Sequence, residues 1–166
     1  MTGVQTCALP IFNTEEPWIG FEQEYALLKG KLPLGFPEDG FPAPQGPYYC
    51  GVGAGAAFGR PAVEAHTRAC LNAGLMIYGI NAEVLPGQWE FQIGYRGIAV
   101  ESADPLTVSD HLWLARWLLY RIGEDFGISP SAIRSQVLKP FSARLIAWRE
   151  NIASTFGSTA TGWRSA

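Results

Sequence analysis

Four glutamates stand at spacings suited to metal chemistry. Glu22 and Glu24 lie two residues apart in the run FEQEYALL, Phe21 to Leu28. Side chains alternate along a strand, so both carboxylates point to one face. Glu83 and Glu90 flank Pro86-Gly87 in INAEVLPGQWEFQI, Ile80 to Ile93. Pro-Gly between two β-rich runs signals a hairpin. With Pro86 and Gly87 as its central residues, Leu85 pairs with Gln88, Val84 with Trp89 and Glu83 with Glu90. Like charges directly opposite each other destabilise a hairpin. A hard divalent cation removes that conflict, because it takes carboxylate oxygens. No Cys or His lies at ligand spacing beside these pairs, which favours Mg²⁺ or Mn²⁺ over zinc. The same spacings also suit solvated faces of edge strands, so spacing alone leaves both readings open.

Other candidate motifs are weaker. The small-residue stretch GVGAGAAFG, starting at Gly51, lacks the Gly-Lys-Ser/Thr ending of a phosphate loop and reads as a flexible turn. His66 stands alone, off the stripe of Val63, Thr67, Cys70 and Leu71, and reads as a surface or packed histidine rather than a ligand. The cysteines are Cys7, Cys50 and Cys70. Their odd number and spacing fit neither a zinc site nor a disulfide framework, so they read as free thiols of a reducing compartment.

The elements that must position the glutamates follow from the pattern. Phe21 to Leu28 is a strand between Gly20 and Gly30. Leu32 to Pro47 is a loop rich in Pro, Gly and aromatics, too long to be idle in a compact domain. Arg60 to Ala73 is a helix, with Pro61 in its first turn and Gly74 at its stop. Thr107 or Ser109 caps a second helix running to about Phe126, with Leu112, Ala115, Leu119 and Ile122 as its core face. The predicted fold class is α+β. An antiparallel sheet carries Phe21 to Leu28 and the Ile80 to Ile93 hairpin, with helices at 60–73 and 108–126 packed on its outer face. The four glutamates are expected to converge on one concave sheet face.

Composition bounds the function. The chain has 166 residues, 48% hydrophobic and 16% charged, with net charge −3. That supports one core and suggests no electrostatic partner such as nucleic acid or an anionic membrane. The 19 glycines and 12 prolines call for much loop and turn. No apolar run approaches ~20 residues, so no membrane span is expected. The first residues lack the regions of a signal peptide. There is no internal repeat, low-complexity tract or linker.

The glutamates also carry a family resemblance. Gly20-Phe21-Glu22-Gln23-Glu24-Tyr25 resembles the first metal-binding motif of eukaryotic-type (type II) glutamine synthetases. Gly46-Pro47-Tyr48-Tyr49-Cys50-Gly51-Val52-Gly53 and Val63-Glu64-Ala65-His66 are nearly word for word those of the family. The run from Asn81 to Gln92 resembles its second metal motif, and His111 to Arg116 its following helix. The resemblance covers about Pro17 to Ser129. It implies an incomplete catalytic domain of an ATP-dependent ligase that makes glutamine from L-glutamate and ammonia through a γ-glutamyl phosphate. It implies Mg²⁺ or Mn²⁺ as cofactor, ATP as co-substrate, a cytoplasmic location and a homo-oligomeric ring in the full-length parent. By resemblance Glu22, Glu24, Glu83 and Glu90 are the metal ligands. Likewise Glu90, Phe91, Gln92, Ile93, Gly94 and Tyr95 lie near ATP, though Tyr95 stands where the family usually has Pro. Two other readings compete: a non-catalytic carboxylate-rich metal-binding or interaction module, and a guanidino kinase, against which the Glu-Gln-Glu and Trp-Glu-Phe-Gln motifs argue.

The ends read differently. Met1 to Phe12 resembles a sequencing adapter translated in one frame, so residues 1–12 are expected to be a non-native tail. Residues 13–130 are read as the partial catalytic domain. From Ser131 the pattern decays. Ile133-Arg134-Ser135-Gln136, back-translated and read one base later, gives Phe-Asp-Pro-Lys, and the family has Asp-Pro-Lys at about this point. Residues 131–166 are therefore expected to be a frameshifted or disordered tail with little packing on the core. The family's Asn-Gly-x-Gly segment, its further metal-binding His, its substrate arginines and its N-terminal β-grasp-like domain are not readable here. The chain alone is accordingly expected to be inactive.

Overall fold

The computed structural model describes residues 18–39, 41–42, 47–102, 104–131 and, as backbone, 144–147. The Met1 to Phe12 tail, Cys7, part of the Leu32 to Pro47 loop and most of the stretch after Ser131 lie outside the described residues. In chain order the elements are β1 (Ile19–Lys29), β2 (Leu32–Pro33), α1 (Arg60–Asn72), β3 (Ile77–Ala82), β4 (Gln88–Gly94), α2 (Pro105–Asp125), β5 (Ser129–Ser131) and β6 (Arg144–Ala147).

All the strands belong to one antiparallel sheet, with β1 as its hub. β1 pairs with β4 from Gly20↔Gly94 to Ala26↔Gln88, and β4 pairs in turn with β3. The three short strands β2, β5 and β6, which carry no sequence signal of their own, also pair with β1. The stretch from Ser131 on is expected from its sequence to sit apart. Within it, Ser131 pairs with Ala26, and the β6 backbone pairs with β1 from Ile19↔Ala147 to Glu22↔Arg144.

The α+β architecture expected from the pattern is present, with one layer of helices on one sheet face. Tyr25 and Leu27 of β1, with Trp89, Phe91 and Ile93 of β4, form a buried cluster with Val63 and Cys70 of α1 and Val108, Leu112, Ala115 and Leu119 of α2. Trp89 anchors it: its indole N–H donates to the Phe58 carbonyl at 2.7 Å, and the Arg60 guanidinium lies 5.2 Å from the ring centroid.

Three local expectations are corrected. First, the buried face of α1 is Ala62, Val63, His66 and Cys70. His66 is on the core stripe and Leu71 is half exposed, because the stripe is centred one position earlier than predicted. Second, α2 is capped by Asp104, whose Oδ1 accepts the Leu106 and Thr107 N–H groups at 3.0 and 3.1 Å. Pro105 then fits the first turn, where its missing N–H costs nothing. Third, the hairpin register differs by two residues. Gln88 N–H donates to Leu85 O at 3.0 Å and Glu83 N–H to Gln88 O at 2.8 Å, and Asn81, not Glu83, pairs with Glu90. Pro86-Gly87 sits inside a wider turn with Gly87 at φ 70°, as a type II turn requires. The twist of that turn does not match a two-residue hairpin. A shift of two preserves which face each side chain occupies; a shift of one would have reversed it.

Candidate metal centre

The strand period places the acids. On β1, Gln23 and Tyr25 are buried on the helix side, which turns Glu22 and Glu24 to the opposite face. The β1–β4 register sets Glu24 directly across from Glu90, and Glu22 across from Gln92. Asn81 lies across from Glu90 on the other side, and Glu83 follows just past the end of β3. Glu22, Glu24, Glu83 and Glu90 therefore line one open cleft of about 680 Å³, together with Tyr49, Cys50, Asn81 and Gln92. The four glutamates singled out from the sequence stand on one face of the sheet. The like-charged pair that stands directly opposed is Glu24–Glu90, on strands the sequence did not show to be neighbours.

Amides hold the carboxylates. Gln88 Nε2 donates to Glu24 Oε2 at 3.0 Å, and Asn81 Nδ2 donates to Glu83 Oε1 at 2.9 Å. Gln92 Nε2 donates to Glu90 Oε1 and to Asn81 Oδ1 at 2.7 Å. Glu83 Oε2 also accepts the Val84 N–H at 3.3 Å. Cys50 and Tyr49 reach the rim because Cys50 N–H bonds Ala82 O at 2.9 Å. Cys50 adopts a left-handed φ of 52° to do so.

Every charged side chain in the described lining of the cleft is a carboxylate. Burial pushes the Glu90 carboxyl up to about 7, with Glu22, Glu83 and Glu24 adding to the rise against the Gln92 hydrogen bond. Burial and then Glu24 raise Glu83, opposed by the bonds from Asn81 and Val84. The described lining of the cleft holds no basic side chain. Its four carboxylates offer hard oxygens, which fits Mg²⁺ or Mn²⁺ in chemistry, and Cys50 at the rim is the one sulfur in the described lining. Among the described residues no three acidic, His or Cys side chains stand at spacings that would already hold an ion, so the carboxylates share a cleft without being drawn to one point.

The stretch expected near ATP divides by strand alternation. Glu90, Gln92 and Gly94 face the cleft side of the sheet, whereas Phe91 and Ile93 are fully buried in the core. Tyr95 leaves the strand and meets Trp18 edge-on, with centroids 4.8 Å apart. Both border a second cavity of about 560 Å³, whose lining includes Tyr78, Gly94 and Arg96. Sequence reasoning missed Tyr49, Cys50, Asn81 and Gln88. A usable signal existed for two of them: Asn81 and Gln88 each lie two residues before an acid, hence on its face. Of the other candidates, His66 is a core residue, with Nε2–H donating to Ala115 O at 2.9 Å. Cys50 is an exposed free thiol and Cys70 a buried one. No helix among the described residues is long and apolar enough to cross a membrane.

No protein-family model matches the chain. A glutamine synthetase of Streptomyces viridochromogenes is 61% identical over 118 residues, covering 71% of this chain and 32% of that protein. The chloroplastic glutamine synthetase of Chlamydomonas reinhardtii is 56% identical over 130 residues, covering 74% and 32%. The glutamine synthetase of Homo sapiens is 53% identical over 121 residues, covering 72% and 31%. The chain thus spans about a third of the length of these curated relatives. A solved structure described as a novel glutamine synthase homolog aligns with TM-score 0.50 at 12% identity, covering 75% of this chain and 25% of its own. That likeness bears on the fold alone.

Proposed function

We propose that this chain, whose matched residues belong to the glutamine synthetase family, carries the carboxylate part of a divalent-metal centre for glutamate–ammonia ligation. The observation that carries the reading is the convergence of Glu22, Glu24, Glu83 and Glu90 on one cleft without a basic partner in its described lining. These four would supply the oxygen ligands for Mg²⁺ or Mn²⁺. Bound there, the ion would neutralise charge on the ATP phosphates and on the glutamate γ-carboxylate during phosphoryl transfer. The chain's own residues orient the site. Gln88 and Asn81 each aim one carboxylate, and burial of Glu90 makes its charge costly until a cation arrives. Gly94 and Tyr95 open onto the aromatic cavity beside Trp18, which suits them to flank a bound nucleotide. L-Glutamate, ammonia and ATP as substrates, a homo-oligomeric ring and a cytoplasmic site of action belong to the same proposal for the whole protein. A second reading, metal binding without catalysis, is favoured for this stretch taken alone by the absence of a basic side chain from the described cleft lining.

Calorimetric titration of the 166-residue chain with Mn²⁺ tests the centre. Binding is expected for the wild-type chain. Glu83→Gln and Glu90→Gln are each expected to weaken it about tenfold or more, since each removes a charged ligand while nearly keeping shape. Glu64→Gln on the exposed side of α1 is expected to leave it unchanged. Undiminished Mn²⁺ binding with both Glu83 and Glu90 neutralised would refute the assigned role.

A further inference from the structure

We infer that Asn81 is a positioning residue that fixes the Glu83 and Glu90 carboxylates relative to each other. The inference rests on the metal-centre reading above. Asn81 lies across the ladder from Glu90 and two residues before Glu83, so its side chain falls between the two acids. Its Nδ2 donates to Glu83 Oε1 at 2.9 Å. Its Oδ1 accepts from Gln92 Nε2 at 2.7 Å, and that same Gln92 amide donates to Glu90 Oε1. The result is an unbroken path from one carboxylate to the other through two carboxamides. Only a side chain with both a donor and an acceptor can occupy the middle of such a path. The bonds at its two ends are charge-assisted, about twice as strong as neutral ones. Together they remove rotamer freedom from the two acids before any ligand arrives.

A second observation shows that the fold makes room for this path. Gly79 pairs with Gln92 across the same ladder. A Cβ at position 79 would lie 2.3 Å from Gln92 Oε1 and 3.3 Å from its Cδ. The Gln92 carboxamide therefore occupies the space that any other residue at 79 would fill. Gly79, Gln92 and Asn81 act as one device: the glycine admits the glutamine amide, which orients Glu90 and braces Asn81, and Asn81 orients Glu83.

The test is Mn²⁺ affinity of the full chain, read from the free-ion electron paramagnetic resonance signal, alongside the melting temperature without metal. Asn81→Ala is expected to weaken Mn²⁺ binding by about tenfold or more, the usual cost of removing an outer-shell partner, with a small change in metal-free melting temperature. In a Glu83→Gln background the same substitution is expected to cost distinctly less, because part of what it positions is already gone. Gly79→Ala is expected to weaken binding in the same sense, and serves if Asn81→Ala fails to fold. If Asn81→Ala or Gly79→Ala leaves Mn²⁺ affinity unchanged, or if the Asn81 and Glu83 effects simply add, the positioning role is overturned. In that case weakening by Glu83→Gln alone would leave the metal centre standing. Mn²⁺ affinity indifferent to Glu83→Gln as well would remove both.

Discussion

His66 shows what a single side chain decides away from the cleft. It is fully buried, bonds α1 to the Ala115 carbonyl of α2, and keeps Nδ1 without a partner among the described residues. Burial lowers it to about 4, against the Ala115 bond. A base whose folded pKa lies below its unfolded value of about 6.5 favours the fold when neutral. That contribution is whole above pH 6.5 and is lost as pH falls toward 4. Between pH 8 and pH 5 the loss is on the order of 2 kcal/mol. The raised Glu90 carboxyl acts in the opposite sense in metal-free protein, giving a gain in stability as pH falls from about 7 toward its ordinary range. Comparison with His66→Gln, whose amide stays neutral throughout, cancels the carboxylates. Urea denaturation at pH 8 and pH 5 is expected to show the wild type losing about 2 kcal/mol relative to the variant. Equal losses would show that His66 takes up its proton in the folded chain as easily as in water. The sequence left His66 as either a surface or a packed histidine, off the core stripe; it stands fully buried on that stripe. A stripe assigned from apolar residues passes over a histidine that is buried because its N–H has a carbonyl waiting on another helix.

The contact between α2 and β5 is settled by a glycine. Gly123 lies in the last turns of α2, and its carbonyl accepts the Ile128 N–H at 3.0 Å as the chain turns back. A Cβ at position 123 would lie 2.7 Å from Ile128 O and 2.9 Å from Pro130 Cδ. Gly to Ala inside a helix ordinarily stabilises by about 1 kcal/mol. Here the methyl would push β5 off the helix, and overpacking of this kind costs about 1–3 kcal/mol. Gly123→Ala is therefore expected to lower the urea midpoint. A midpoint above wild type would show that the chain after Gly127 does not close against α2. The two helices, β1 and the two arms of the hairpin were legible from periodicity. β2, β5 and β6 were not, because strands of two to four residues have too few side chains to show a period.

At the scale of the molecule, the cleft is assembled but sparse in the charge that catalysis needs. Phosphoryl transfer needs positive charge placed beside the negatively charged transferring oxygens, and the described lining supplies none of its own. The 166-residue chain is expected to form no glutamine from glutamate, ammonia and ATP, and still to respond to metal. An ion that binds only the folded chain stabilises it by mass action, about 2.7 kcal/mol at a hundredfold excess over its Kd. Saturating Mn²⁺ is thus expected to raise the melting temperature by several degrees, and Glu90→Gln to blunt the rise. Measurable glutamine formation by this chain would refute the first expectation, and a melting temperature indifferent to Mn²⁺ the second. α2 meanwhile leaves Trp113, Trp117 and Tyr120 substantially exposed.

What the sequence by itself determined was the strand face on which Glu22, Glu24, Glu83 and Glu90 each stand, and that the four share it. Both follow from the two-residue period of a strand, a local property that survives even a register error of two. The family followed as well, because its motifs are long. What only the tertiary structure decided was which acids oppose each other. That depends on β1 pairing with β4, two strands separated by more than fifty residues, and on a Pro-Gly turn that closes wider than a two-residue hairpin. The strand period could place Asn81 and Gln88 on the face of the acids, but not the carboxylate that Gln88 orients. Gln88 and Glu24 stand 64 positions apart and meet only through strand pairing, a non-local contact for which the chain carries no local signal.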